Sequence, residues 1–130
     1  MPGAAFGLNS MGTSCQFEFE GYWISTGSTC CLQAPLNLPE ASTVTEFVAT
    51  YLDLDAGVNE NFEIELRRKD MRNASDSEEL TQIFSVEDPE IQMVSNAVSI
   101  TVDAQNFSYF VDFCFQGSNN RFYGSKIVLE

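Results

Sequence analysis

The sequence contains no histidine and only six basic residues against nineteen acidic ones, which gives a formal net charge of -13. Without histidine, the Ser-His-Asp and Cys-His nucleophile systems are excluded, as are His-ligated zinc and iron sites. So acidic a surface repels phosphate backbones and anionic lipid headgroups, which makes nucleic acid and acidic membranes poor partners. A pair of carboxylates could in principle catalyse glycoside hydrolysis, but nothing in the sequence distinguishes one acidic pair from the others as catalytic. We therefore expect no enzymatic activity and no cofactor.

Long apolar runs are also missing. No stretch approaches the ~20 apolar residues that a membrane-spanning helix needs, so the sequence predicts no membrane span. The segment Met1–Leu8 has neither the charged start nor the apolar core of a signal peptide. The 130 residues fit one domain, and eleven phenylalanines against a single tryptophan favour a core built from aromatic rings.

Short segments of alternating apolar and polar residues, separated by turn residues, dominate the chain from residue 16 onward. Clear examples are 62–67, 98–102 and 107–115, in which alternate apolar side chains share one face, as they do in half-buried strands. Seven or eight such segments without a convincing amphipathic helix predict an all-β fold, an antiparallel β-sandwich of jelly-roll type. Residues 43–53 carry apolar side chains on both faces, which suggests a strand covered on both sides, for instance by another subunit.

The first fourteen residues are small, glycine-containing and almost uncharged, unlike the rest of the chain. We therefore predict an extended N-terminal arm at 1–14 and a β-sandwich domain at 15–130. Chain termini are usually disordered unless they are tied down. Phe6 and Leu8 are candidates for packing on a neighbouring copy or for adding a strand to its sheet edge. The alternative is that the arm folds back on its own domain.

Four cysteines, Cys15, Cys30, Cys31 and Cys114, are disulfide candidates, because their spacing lacks the CxxC step that is usual in four-cysteine zinc sites. Adjacent residues on a strand point to opposite faces, so we expect one of Cys30 and Cys31 to face the core and the other to face outward. The economical pairing joins one of the two to Cys114. The other then pairs with Cys15, in the same chain or in a neighbouring one. Free thiols in a reducing compartment are the alternative.

Aromatic side chains give a candidate ligand platform. Trp23 and Tyr22 could stack on sugars, with Tyr51, Tyr109 and Tyr123 as further members, although aromatic residues on strands are more often part of the core.

Two weaker kinds of site fall in predicted loops. Asp53, Asp55 and Asn59 could bind calcium, which favours clustered oxygen ligands. However, Gly57 stands where an EF-hand loop needs an oxygen ligand, which favours a solvated loop without a metal. Asn73 and Asn106 each begin a sequon for N-glycosylation in a predicted turn.

Several segments together resemble a pattern in exported bacterial domains of unassigned function. They are 27–30, 34–39, 41–51, 101–103, 107–111 and 121–127. The resemblance extends over roughly residues 22–129 and implies an exported, jelly-roll-like sandwich, without implying an activity or a ligand. A weaker similarity, to the small jelly-roll subunits of bacterial spore appendages, rests on a flexible N-terminal connector combined with a Cys-Cys step.

Two hypotheses for the function follow. In the first, the protein is a structural subunit of an extracellular filament, appendage or surface layer. Its arm would join copies of the chain, and Cys15 with one of the adjacent cysteines would lock the joint. The alternative is a secreted carbohydrate- or surface-binding module, a lectin-like sandwich that binds a glycan through Trp23 and nearby tyrosines. Both hypotheses place the protein outside the cell or at the cell surface.

Overall fold

A computed structural model describes residues 21–25, 30–54, 62–73, 76–85, 87–115 and 120–130, and the backbone alone at 7–8 and 15–17. These residues form strands, turns and loops and contain no helix that could cross a membrane. The strands are β1 (Gly7–Leu8), β2 (Cys15–Phe17), β3 (Trp23–Ser25), β4 (Cys30–Leu36), β5 (Thr43–Leu52), β6 (Phe62–Asp70), β7 (Glu78–Phe84), β8 (Gln92–Thr101), β9 (Phe107–Phe115) and β10 (Arg121–Leu129).

The strands form two five-stranded antiparallel sheets, which pack as a sandwich. Sheet I has the strand order β1-β4-β9-β6-β7, and sheet II has the order β2-β3-β10-β5-β8. The all-β, antiparallel sandwich predicted from the alternating pattern is therefore confirmed. Asn96 on β8 donates a hydrogen bond of 2.7 Å to the carbonyl of Gln82 on β7, which links the two sheets at one edge.

The core between the sheets contains a cluster of aromatic rings among aliphatic side chains. Phe62 of sheet I lies 5.1 Å from the Tyr51 ring of sheet II and 5.0 Å from the Phe115 ring beside it, measured between centroids. Both contacts are stacked, and all three side chains are buried. Burial of such large apolar surfaces is the main term that stabilises a sandwich of this size.

Strand β5 is buried on both faces within this single chain. Phe47 and Ala49 belong to the core, whereas Val48 and Leu52 on the opposite face are only 5% and 8% exposed. On that face Val48 is flanked by its cross-strand partners Lys126 and Ser95, and Leu52 by its partner Arg121, all in the same sheet. A covering subunit is therefore not needed to explain the apolar residues on both faces.

The described part of the arm pairs with its own domain. Gly7 and Leu8 form β1, which is antiparallel to β4 and pairs with Gln33 and Leu32. This is the arrangement expected when the arm folds back, so it gives no support to packing on a neighbouring copy. Phe6 lies outside the described residues.

One disulfide joins β4 and β9 on the outer side of sheet I. Cys31 and Cys114 are direct cross-strand partners, with their sulfurs bonded and their Cα atoms 4.1 Å apart. Cys30 lies on the core side, fully buried, and is disulfide-bonded as well. The outward cysteine is thus bonded to Cys114 of the same chain and is not available to lock a joint with a neighbour. The side chain of Cys15 lies outside the described residues.

Candidate functional site

The outer face of sheet I carries an aromatic ring that is not part of the core. On β9, Tyr109 and Val111 are buried between the sheets, so the alternation of the strand places Phe110 on the opposite side. Its cross-strand neighbours are Pro35 on β4 and Arg67 on β6. Phe110 is half-buried and Pro35 is exposed, so together they give this surface an apolar floor.

Polar side chains follow in the next cross-strand row. Gln33 on β4, Asp112 on β9, Glu65 on β6 and Gln82 on β7 are successive partners across the sheet. We name this surface face I. It comprises Gln33, Pro35, Glu63, Glu65, Arg67, Lys69, Gln82, Ser108, Phe110 and Asp112.

Hydrogen bonds between side chains hold much of face I in place. Arg67 donates to the Glu65 carboxylate, and it also donates to the hydroxyl and the carbonyl of Ser77, both at 2.8 Å. The Gln82 amide nitrogen donates to Glu63 at 2.9 Å and to Glu65 at 3.3 Å. A connected network of this kind fixes the orientation of its members before any ligand arrives.

The same network raises the pKa of Glu63. The largest cause is a hydrogen bond with Glu65, which favours the protonated carboxyl group of Glu63. Partial burial and the negative charges of Glu65 and Glu79 raise the pKa further, and the hydrogen bond from Gln82 opposes them. Negative charge is therefore crowded at this end of face I.

Face I borders two hollows. A cavity of about 660 Å³ is lined by Gln33, Pro35, Lys69, Asp76, Ser108 and Phe110, among others. A smaller one of about 180 Å³ is lined by Glu63, Glu65 and Asp112. The larger volume falls within the roughly 300–1,000 Å³ that is usual for ligand sites. Face I thus combines an apolar floor, ordered polar groups and room for a small ligand.

The predicted platform of Trp23 and Tyr22 is not assembled as one surface. Trp23 is half-buried and packs against the core beside Phe122, its cross-strand partner. The Tyr22 ring instead lies 5.4 Å from the ring of Tyr123, because adjacent residues of an extended chain point in opposite directions.

The other two tyrosines proposed for that platform belong to the core. Tyr51 is 1% exposed and Tyr109 is 4% exposed. The hydroxyl of Tyr109 accepts a hydrogen bond of 3.0 Å from the backbone nitrogen of Asp103, which satisfies its polar end inside the protein. Neither side chain can therefore present a ring to a ligand.

Asp53, the first of the calcium candidates, has a structural role. Its carboxylate is buried and accepts a 2.5 Å hydrogen bond from the hydroxyl of Ser85, which itself accepts one of 3.0 Å from the backbone nitrogen of Phe62. These bonds tie the end of β5 to the start of β6 and the end of β7. Asp55 and Asn59 lie outside the described residues, and within the described part of the chain no acidic or cysteine cluster could hold a metal ion.

The two sequons differ in their surroundings. The Asn106 side chain is half-buried, and its amide nitrogen, the atom to which a glycan would be attached, donates to Asp103 at 2.9 Å. Asn73 is exposed, and its backbone carbonyl accepts a hydrogen bond of 3.2 Å from Lys69. Asn73 is therefore the better placed of the two.

Sequence reasoning did not identify Phe110 or its polar neighbours as a site. The signal for Phe110 was present, since grouping residues 107, 109, 111, 113 and 115 on one face of a strand leaves residue 110 on the other. Gln33 and Asp112 had no comparable signal, because they become neighbours only through the pairing of β4 with β9.

No family model and no curated protein matches the chain. Among solved structures, it is similar to TmCBM61 in complex with β-1,4-galactotriose, with a TM-score of 0.53 and 9% identity over 96% of this chain and 87% of that one. A CBM4 structure, also a carbohydrate-binding module, gives a TM-score of 0.47 and 9% identity over 98% of this chain and 94% of that one. At 9% identity the likeness to TmCBM61 concerns the fold. The chain therefore shares the β-sandwich fold of a carbohydrate-binding module, in agreement with the jelly-roll-like sandwich that the sequence resemblance implied.

Proposed function

We propose that this protein is a non-catalytic carbohydrate-binding module that holds a neutral oligosaccharide on face I. The observation that carries the proposal is the outward ring of Phe110, which lies beside ordered hydrogen-bonding side chains and a cavity of about 660 Å³. The sandwich shared with TmCBM61, which was solved with a bound oligosaccharide, is consistent with it.

The chemistry of face I suits a sugar. A pyranose ring has an apolar side formed by C–H groups and a rim of hydroxyls that both donate and accept hydrogen bonds. Phe110 and Pro35 offer an apolar surface for the first, and Gln33 and Ser108 offer donors and acceptors for the second. Because hydrogen bonds already order Arg67 and its neighbours, less side-chain entropy is lost on binding.

The acidic end of face I favours a neutral ligand. Glu63, Glu65 and Asp112 line the smaller hollow, and their carboxylates would repel an anionic sugar. The same carboxylates accept strong hydrogen bonds from hydroxyl groups. The hydroxyl groups of a neutral oligosaccharide can therefore donate hydrogen bonds to these three carboxylates without electrostatic repulsion.

This proposal fits the described contacts better than the filament hypothesis does. Gly7 and Leu8 pair with β4 of their own chain, and Cys31 is bonded to Cys114. A disulfide of this kind persists in oxidising surroundings, which is consistent with a secreted or cell-surface module.

Titration calorimetry with neutral oligosaccharides, beginning with β-1,4-galactotriose, tests the proposal. We expect Phe110→Ala to weaken binding about tenfold or more, because the apolar floor is lost. The matched control is Ile91→Ala, which removes an exposed apolar side chain that borders neither hollow of face I, and it should bind as the wild type does. If no neutral oligosaccharide binds at millimolar concentration, or if both variants lose affinity equally, the proposal is wrong.

A further inference from the structure

The outer face of sheet II carries a second group of aromatic and cationic side chains. The Tyr22 and Tyr123 rings lie 5.4 Å apart at 55°, and the Arg121 guanidinium lies 4.6 Å from the centre of the Tyr22 ring. Both rings are half-buried, so each keeps part of its surface open to solvent. We name this group, together with Thr50, Met93 and Lys126, face II.

A β-bulge in β10 gives Tyr123 its position. Phe122 pairs with Tyr51 and Gly124 pairs with Thr50, so Tyr123 is an extra residue without a partner on β5. The backbone of Gly124 has a φ of 143°, a conformation that favours glycine. Bulges of this kind redirect a side chain and are frequent beside functional sites.

A cavity of about 310 Å³ adjoins the Tyr123 ring. Its lining includes Val48, Thr50, Met93, Tyr123 and Lys126. Met93 is 72% exposed, and it adds an adaptable apolar wall to the open side. Face II therefore has room for a small ligand next to an aromatic ring.

The strands of sheet II differ from those of sheet I in their balance of charged residues. Strands β3, β5, β8 and β10 contain two cations, Arg121 and Lys126, and one acidic residue, Glu46, which accepts a hydrogen bond from Ser95. Strands β4, β6, β7 and β9 contain six acidic residues and three cations. In a chain with a net charge of -13, the strands of sheet II thus hold one more cation than acidic residues, whereas those of sheet I hold three more acidic residues than cations.

The two cations are spaced along the sheet. Arg121 pairs with Leu52 and Lys126 pairs with Val48, four residues apart on β5. At ~3.3 Å per residue, their backbones are about 13 Å apart along the strand. A ligand that bears several carboxylates along its length could reach both side chains.

From these observations we infer that face II binds an acidic oligosaccharide, one that contains uronic acid residues. Its sugar rings would pack against Tyr22, Tyr123 and Met93. Its carboxylates would bond to Arg121 and Lys126, since a guanidinium and an ammonium group form strong, charge-assisted hydrogen bonds with carboxylates. This inference does not depend on the function proposed for face I.

The probe is trigalacturonate, with neutral β-1,4-galactotriose as the comparison ligand. We expect trigalacturonate to bind the full chain and to shift the amide NMR signals of Thr50, Gly124 and Ser125. Arg121→Gln and Lys126→Gln should each weaken it about tenfold. Lys69→Gln removes the same charge from face I and should leave the affinity within about twofold. Added NaCl should weaken trigalacturonate binding and leave galactotriose binding unchanged.

Several outcomes would overturn the inference. They are no binding of trigalacturonate at millimolar concentration, signal shifts confined to face I, or an equal loss in Lys69→Gln. A triglutamate peptide has similar carboxylates without sugar rings, and equally tight binding of that peptide would also contradict the inference. Arg121→Gln should not affect the binding of galactotriose. A failure of the inference about face II can therefore be distinguished from a failure of the function proposed for face I. Lys126 is exposed, so Lys126→Gln remains informative if Arg121→Gln does not fold.

Discussion

Two buried serines differ in the hydrogen bonds that their side-chain hydroxyl groups form. Ser85 donates to Asp53 and accepts from the backbone of Phe62, so both functions of its hydroxyl are used. Ser125, equally buried on β10, has a hydroxyl for which no hydrogen-bond partner is found among the described residues. A buried polar group without a partner costs about 1–3 kcal/mol in desolvation.

The same substitution at these two positions should therefore have opposite effects. Ser125→Ala removes the unpaired hydroxyl, and we expect the free energy of unfolding to rise by about 1 kcal/mol. Ser85→Ala leaves the Phe62 amide and the Asp53 carboxylate without their shared partner, and we expect a loss of about 1–3 kcal/mol. Urea denaturation followed by tryptophan fluorescence measures both. A loss of similar size in the two variants would show that Ser125 has a partner.

At the scale of the element, the bulge in β10 links a backbone conformation to the position of an aromatic ring. Gly124 has a φ of 143°, and Tyr123 beside it is the residue that has no partner on β5. A side chain on residue 124 would be strained in this conformation, whatever space surrounds it. The bulge and the contact between Tyr123 and Tyr22 are therefore expected to be lost together.

Gly124→Ala tests this link. We expect it to lower the free energy of unfolding by about 1–3 kcal/mol, the usual cost of forcing such a conformation. We also expect a change in the near-ultraviolet circular dichroism of the tyrosines as the Tyr22–Tyr123 contact shifts. Lys126→Ala, an exposed change on the same strand, should cost less than about 0.5 kcal/mol and leave that signal intact. A stable Gly124→Ala variant with an unchanged spectrum would mean that the bulge does not depend on glycine.

The strands themselves could be predicted from the sequence because their signal is local. Alternation in 62–67, 98–102 and 107–115 marks one buried face in each segment, and the structure has β6, β8 and β9 there. The bulge at Tyr123 could not be predicted in the same way, since a bulge exists only relative to a partner strand. The sequence left open whether the arm lies on its own domain or on another copy. In the structure, Gly7 and Leu8 pair with the edge of β4 in the same chain.

At the scale of the whole molecule, both candidate sites depend on strand order, which the sequence does not reveal. Gln33 and Asp112 belong to opposite ends of the chain and meet because β4 pairs with β9. Arg121 lies over Tyr22 because β10 pairs with β3. The total charge was available from the sequence, but the division of the charged strand residues between sheet I and sheet II was not.

The net charge of -13 also sets how the stability of the molecule responds to salt. Nineteen acidic side chains on a small domain repel one another, and this repulsion opposes the compact state. Raising NaCl from about 0.01 M to about 1 M shortens the Debye length from about 30 Å to about 3 Å, so we expect the melting temperature to rise.

Glu87→Lys, which makes the chain less negative at an exposed position, should reduce that rise, and Lys126→Glu should enlarge it. KCl should act as NaCl does, because screening depends on ionic strength. Calorimetry measures the melting temperatures of the wild type and the two variants. If these temperatures do not change with salt, or if the salt-induced rise is largest in Glu87→Lys and smallest in Lys126→Glu, local ion pairs outweigh the general repulsion.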